Sequence, residues 1–143
     1  MIFQNELDKS INKIACYYTS IAFYSAWKGY YWTARDLNML WYQCVNKNYI
    51  DVNQCILNPQ GVANVVGSKL IFKGKYYPDY VRKQNDYIIS CFKLTREAEE
   101  AHFCVLDESG IYTKEHVLFD PWAGGSKTVA EGLCTSLRVF SKE

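Results

Sequence analysis

The sequence is poor in the features that most directly assign a function. Of 143 residues only two are histidines and three prolines, and its six cysteines include no Cys-x-x-Cys pair, Cys44 and Cys55 standing closest at 11 positions apart. Neither a zinc knuckle nor a dithiol redox pair is encoded locally. Basic and acidic residues nearly balance, 16 against 15, for a formal net charge of +1 with no Lys/Arg block. That balance lacks the footprint needed to neutralise several phosphates, so nucleic acid is not an expected partner. The most apolar stretch, Ile14 to Trp27, is broken by Thr19, Ser20 and Ser25 and is too short to cross a bilayer, so no membrane partner is expected either. The opening run Met1-Ile2-Phe3-Gln4-Asn5-Glu6-Leu7-Asp8 carries acid early and lacks a secretory apolar core, which predicts a cytoplasmic location with reduced thiols. Five of the six cysteines are then expected as small buried hydrophobes. Repeats, low-complexity stretches and linkers are also missing, and the length fits one domain over residues 1–143.

What the sequence does have is aromatic area: 12 Tyr, 7 Phe and 4 Trp. Such rings bury much surface at low rotamer cost and can also offer flat faces to a ligand. The run Tyr30-Tyr31-Trp32 fits either a packed loop or the rim of a groove.

Apolar periodicity places helices first. Ile14, Tyr18, Ile21, Ala22 and Ser25 share one face of a helix over Ile14 to Lys28, with Gly29 positioned to stop it. Thr33 with Asp36 makes an N-cap and first-turn acid ahead of Leu37, Leu40, Trp41, Cys44 and Val45, which recur at helical spacing. Asn58-Pro59 followed by Val62, Val65, Val66 and Gly67 has the cap, the first-turn proline and the glycine stop of a short third helix. Beyond residue 68 the pattern turns to short β-favouring runs: Leu70 to Phe72, Tyr87 to Phe92, His102 to Asp107, Val117 to Asp120 and Ser136 to Phe140. Their connections are too short for crossover helices, so the sheet is expected to be antiparallel and the class α+β.

Within that sheet, a hairpin turning near Gly110-Ile111-Tyr112 would set His102 directly opposite Asp120. Opposed residues on one face have Cβ atoms about 5 Å apart, within reach for a carboxylate to accept from an imidazole N–H. The same register sets His116 against Leu106, leaving it without a carboxylate. Cys16 falls in the first turn of the first helix, where unpaired backbone N–H groups and the macrodipole favour an anion. A cysteine there, with a His/Asp pair downstream, suits a nucleophile and its base. Cys, His and carboxylate are also zinc ligands, but without paired spacing a metal site is the weaker alternative, and no cofactor is expected. The charged run Arg96-Glu97-Ala98-Glu99-Glu100 reads as a solvated loop rather than as catalytic carboxylates.

Taken in order, Ala15-Cys16-Tyr17-Tyr18, Ala101-His102-Phe103-Cys104-Val105-Leu106 and Leu118-Phe119-Asp120-Pro121-Trp122 with Gly124-Gly125-Ser126 resemble the papain-like cysteine peptidases. Within that clan the chain is most similar to the bacteriocin-leader-processing (double-glycine peptidase-like) family and its stand-alone relatives. The run Ala15-Cys16-Tyr17-Tyr18 and the ending Gly132 to Phe140 also resemble an uncharacterised family of small bacterial plasmid- or phage-borne proteins. The resemblance covers nearly the whole chain and implies N-terminal helices packed on a C-terminal antiparallel sheet. It implies Cys16 as nucleophile, His102 as general base and acid, Asp120 as the group that orients the imidazole, and a peptide or protein substrate hydrolysed through a thioester. The sequence departs from the family at the oxyanion donor: relatives usually place Gln six residues before the nucleophile, where this chain has Ser10, with Asn12 nearer and Gln4 farther. It also has bulky Tyr17 after the nucleophile, where it could crowd the groove. Two alternatives follow: a cell-wall amidase of the same reaction class, and a catalytically weak domain using the groove to bind a peptide or protein.

Overall fold

A computed structural model describes residues 2–29, 32–51 and 55–142. Tyr30 and Tyr31 of the aromatic run lie outside the described residues; Trp32 is half-buried and donates its indole N–H to the Val66 carbonyl at 3.1 Å, which makes it a packing residue. The described residues form an α+β structure, with helices α1 (Cys16–Trp27), α2 (Ala34–Asn46), α3 (Pro59–Val65) and α4 (Lys127–Glu131). Strands β1 (Ile71–Tyr76), β2 (Asp86–Lys93), β3 (His102–Leu106), β4 (Val117–Phe119) and β5 (Leu133–Ser141) make one antiparallel sheet of order β1-β5-β2-β3-β4.

The helix signals in the sequence act as expected. Thr33 Oγ1 accepts from Asp36 N at 3.0 Å while Asp36 accepts from Thr33 N, a closed capping box that starts α2. Asn58 Oδ1 accepts from Gly61 N at 2.9 Å ahead of Pro59 to start α3. On α2 the periodic residues Leu37, Trp41 and Cys44 are buried. Helix α1 is different, because nine of its twelve residues are buried and no single face is polar. It begins two residues later than the apolar pattern suggests, leaving Ile14 exposed before it.

Contacts on opposite sides of α1 fix its position. Toward α2, the Tyr18 hydroxyl donates to the Leu37 carbonyl at 2.7 Å and its ring meets Trp41 edge-on. Toward the sheet, Tyr17 stacks on Phe103, Phe23 stacks on Phe119, and the Tyr87 hydroxyl donates to the Ser20 carbonyl at 2.6 Å. These aromatic pairs, each worth about 1 kcal/mol beyond area burial, hold the start of α1 over β3. The far face of the sheet carries a second apolar cluster of Ile88, Phe92, Cys104, Leu106, Leu137 and Val139 under Val129 of α4. With both faces covered along most of its length, β2 is a continuous buried run and not an alternating one.

The β3–β4 register differs from the one inferred above. Val105 pairs with Phe119 and Leu106 with Val117, with an irregularity between them, and a 3-10 turn at Lys114–His116 lengthens the connection. His102 is therefore not directly opposite Asp120: its strand partner is Phe92 of β2, and Asp120 lies just past the end of β4. The Val105 pairing moves by two positions from the expected register and the Leu106 pairing by one, the difference being taken up by the irregularity between them.

Candidate active site

Four chain segments build the site. The first is a 3-10 turn at Gln4–Glu6, closed by Glu6 accepting from Phe3 N at 2.7 Å. The turn is fastened to the loop after β4, since Gln4 N donates to the Pro121 carbonyl at 2.8 Å and Asn5 Oδ1 accepts from Ala123 N at 2.7 Å. The second is the start of α1, with Cys16 as its first residue and Ala15 as an N-cap that has no side chain to offer. The leading N–H groups of α1 thus have no intrahelical acceptor and leave a partial positive charge beside the Cys16 sulfur. The third is the first residue of β3, His102, and the fourth is the loop Asp120 to Ser126.

His102 Nε2 and Asp120 Oδ1 are 2.6 Å apart. Asp120 is held from both sides: Oδ1 also accepts from Trp122 N and Oδ2 from Ser126 N, each at 2.9 Å. Gly124 and Gly125, both at φ of +87°, take the turn that brings Ser126 N back to the carboxylate, a conformation that a Cβ would strain. Burial raises the Asp120 carboxyl, but the His102 bond and charge with the two backbone N–H groups outweigh it, leaving the group below the usual carboxylate range. For His102, 8% exposed, burial acts to lower the imidazolium. The bond to Asp120 and the hydrogen bond and charge of Cys16 act the other way and lift it to about 9. With Nε2 committed to Asp120, the nitrogen left for the Cys16 thiol is Nδ1. The structure thus brings Cys16, His102 and Asp120 together as the sequence suggests.

The three candidate oxyanion donors separate. Ser10 is turned to the Tyr42 hydroxyl at 2.9 Å, and Asn12 contributes its carbonyl, which accepts from Gln4 Nε2 at 2.8 Å. Gln4, 1% exposed, lines the same cavity as Cys16 and His102. Because the Asn12 carbonyl can only accept, it fixes which end of the Gln4 amide is nitrogen, and among the described residues the second Nε2 proton meets no acceptor. Gln4 Oε1 is buried with no hydrogen-bond partner among the described residues, a polar atom retained in a residue that lines the cavity. Tyr17 does not crowd the groove: its ring packs on Phe103 at 4.8 Å between centroids, forming wall rather than obstruction.

Two sequence-based expectations fail at this level. His116 also has a carboxylate, with Nδ1 2.9 Å from Asp107 Oδ2, because the longer β3–β4 connection folds His116 back onto the end of β3. Cys55 is exposed and Cys134 half-buried, unlike the buried Cys44, Cys91 and Cys104, and Cys55 lines the site cavity, as do Glu99 and Glu100 of the charged loop.

The cavity measures about 760 Å³ and reaches from Gln4 and Cys16 past His102 to Trp122, Lys127 and Arg138. Arg138 and the wall that it forms were not singled out from the sequence, although an arginine within the apolar run Ser136 to Phe140 marks a position not sealed in the core. Among the described residues no three of His, Cys, Asp and Glu converge as a metal-holding group, and no helix is long and apolar enough to cross a membrane.

One family model matches the chain, over residues 2–142, and is described as "Protein of unknown function, DUF261". No curated protein and no solved structure matches.

Proposed function

The chain belongs to the DUF261 family, and from its site we propose that it is a cysteine peptidase or amidase with a papain-like arrangement of fold and triad. One observation carries this reading: a buried imidazole shared between a carboxylate held at 2.6 Å and a cysteine at a helix N-terminus, at the wall of a cavity large enough for a peptide segment. The Cys16 thiolate attacks the carbonyl carbon, and the oxyanion is met by the Cys16 backbone N–H and the free Gln4 Nε2 proton. The imidazolium of His102 delivers its Nδ1 proton to the departing amine as the C–N bond breaks, leaving a thioester. Water then attacks the thioester with His102 taking its proton, and release of the carboxylic acid returns the thiol. Asp120 keeps the imidazole in the tautomer that aims Nδ1 at sulfur.

The test is alkylation of Cys16 by iodoacetamide across pH, followed by peptide mapping, in a Cys55→Ser background that removes the exposed thiol. Burial pushes Cys44 up to about 11 and Cys134 to about 12, so those thiols stay protonated near neutrality. Fast labelling of Cys16 well below pH 8 that collapses in His102→Gln is the expected result. Labelling with an ordinary thiol midpoint, indifferent to His102, would overturn the catalytic reading and leave the groove as a peptide-binding surface.

A further inference from the structure

The catalytic cavity does not end at His102. Over Glu99, Ala101, Phe103 and Arg138 it continues into a second cleft of about 420 Å³ along the exposed half of the sheet face. The register explains the continuity, since Arg138 on β5 stands beside Lys75 on β1, and Ser136 beside Cys91 on β2 and then Phe103 on β3. Helix α1 covers this face only as far as Tyr17, so the strand ends beyond it form the open floor.

That floor is cationic. Lys75, Lys93, Arg96 and Arg138 line it against the single acid Glu99, and among the described residues none of the four is paired with a carboxylate. The arginine nearest the catalytic groups is already placed: its Nη1 donates to Ser136 Oγ at 2.9 Å and its guanidinium lies 5.2 Å from the Phe103 ring centroid. Phe103 directly follows His102, and both line the catalytic cavity together with Arg138, so the fixed guanidinium and the imidazole belong to one stretch of wall. A planar fork held by a hydroxyl and a ring loses little freedom when it meets a carboxylate, whereas the exposed Lys75 and Arg96 add attraction at longer range. The protein's near-neutral overall charge makes this local excess a property of the cleft and not of the whole surface.

We propose that this cleft selects an acidic substrate segment, seating a carboxylate on Arg138 beside the scissile bond, with Lys93, Arg96 and Lys75 drawing in further negative charge. The proposal rests on the peptidase reading for the meaning of "scissile", but the recognition it describes needs no chemistry and is measured separately.

The experiment uses the full chain with Cys16→Ala, and as probes fluorescein-labelled octapeptides that differ only in Glu for Gln at successive positions, each with a free or an amidated C-terminus. Fluorescence anisotropy is expected to give about tenfold tighter binding for a Glu peptide than for its Gln twin, the size of one charge-assisted hydrogen bond, weakening as salt rises from 50 to 500 mM, values chosen to span the screening range. The preference is expected to vanish in Arg138→Gln and to return in part in Arg138→Lys. Lys93→Gln with Arg96→Gln, both clear of the core, is expected to reduce it without affecting the fold. Preference for the free terminus over the amide, with no effect of internal Glu, would assign the carboxylate to the chain end, and the reverse to a side chain. Equal binding of Glu and Gln peptides together with indifference to amidation of the C-terminus, no binding of any peptide, or a charge preference that survives Arg138→Gln would overturn the proposal. A slow Cys16 with an intact Glu preference would refute catalysis and keep the cleft; a fast Cys16 with no charge preference would do the opposite.

Discussion

Replacing Asp120 with asparagine removes one negative charge while nearly preserving shape, and the structure sets the size of the effect. His102 is lifted from 6.5 to about 9 against the pull of burial, a linkage on the order of 3 kcal/mol shared between Asp120 and Cys16. Because the folded value lies above the unfolded one, this stabilisation is complete below about pH 6.5 and is lost as pH rises through about 9. Asp120 is shifted the other way, below its ordinary value, so its share is present above that value and is lost in stronger acid. The two limits together place the greatest benefit of the pair in mildly acidic solution, between the carboxylate range and pH 6.5. Asp120→Asn should therefore lower unfolding free energy by about 2–4 kcal/mol at pH 6, since a buried charge loses its partner, and by clearly less at pH 10. The assays are denaturant unfolding at the two pH values and the His102 imidazole titration by NMR, assigned with His116→Gln. Repeating both with Cys16→Ala separates the thiolate's share. An imidazole midpoint that stays near 9 in Asp120→Asn, or a stability loss equal at pH 6 and pH 10, would refute the assignment of the shift to this pair.

Gln4→Ala should lower acylation of Cys16 by a peptide substrate or acyl probe by about 10²–10³-fold, the loss of one oxyanion donor, while iodoacetamide labelling, which forms no oxyanion, should be unchanged; equal losses in both would point to collapse of the N-terminal turn instead. His116→Gln, which breaks a half-exposed pair with Asp107, should cost no more than about 1 kcal/mol and leave Cys16 labelling intact; a large drop in labelling would mean that the second His/Asp pair takes part in the site.

Local chemistry made the first half of the chain legible. Thr33 with Asp36, and Asn58 with Pro59, carry their caps within a few residues, and the helices they open are observed. The β-runs were equally legible as elements, because β-branched and aromatic residues between Gly, Pro and charged breaks describe the strands themselves. What could not be read was how long-range contacts set detail. The β3–β4 register follows from a short edge strand that stops at Phe119 and a 3-10 turn at Lys114–His116, neither of which has a strong local signal. Helix α4, only five residues long, depends on the Ser126 cap and on Val129 packing beneath the sheet. At the site, residue types and their order were enough to bring Cys16, His102 and Asp120 into one group. Gln4 could be no more than one of three donor candidates, because its position depends on bonds to Pro121 and Asn12 that connect distant parts of the chain. Arg138 escaped notice for the same reason: its partners, Phe103 and the neighbouring strands, are tertiary.

The strand order has a consequence for the timing of activity. The last strand made, β5, lies between β1 and β2, and the loop bearing Asp120 is translated more than a hundred residues after Cys16. While the chain is still emerging from the ribosome, β1 and β2 have no neighbour to join them, and the thiol has neither its imidazole nor the carboxylate behind it. Such distant pairings also slow the final closure of the sheet. A nascent or truncated chain thus lacks the assembled group of Cys16, His102 and Asp120 by its own topology, and the sheet that carries two of them closes only with insertion of β5.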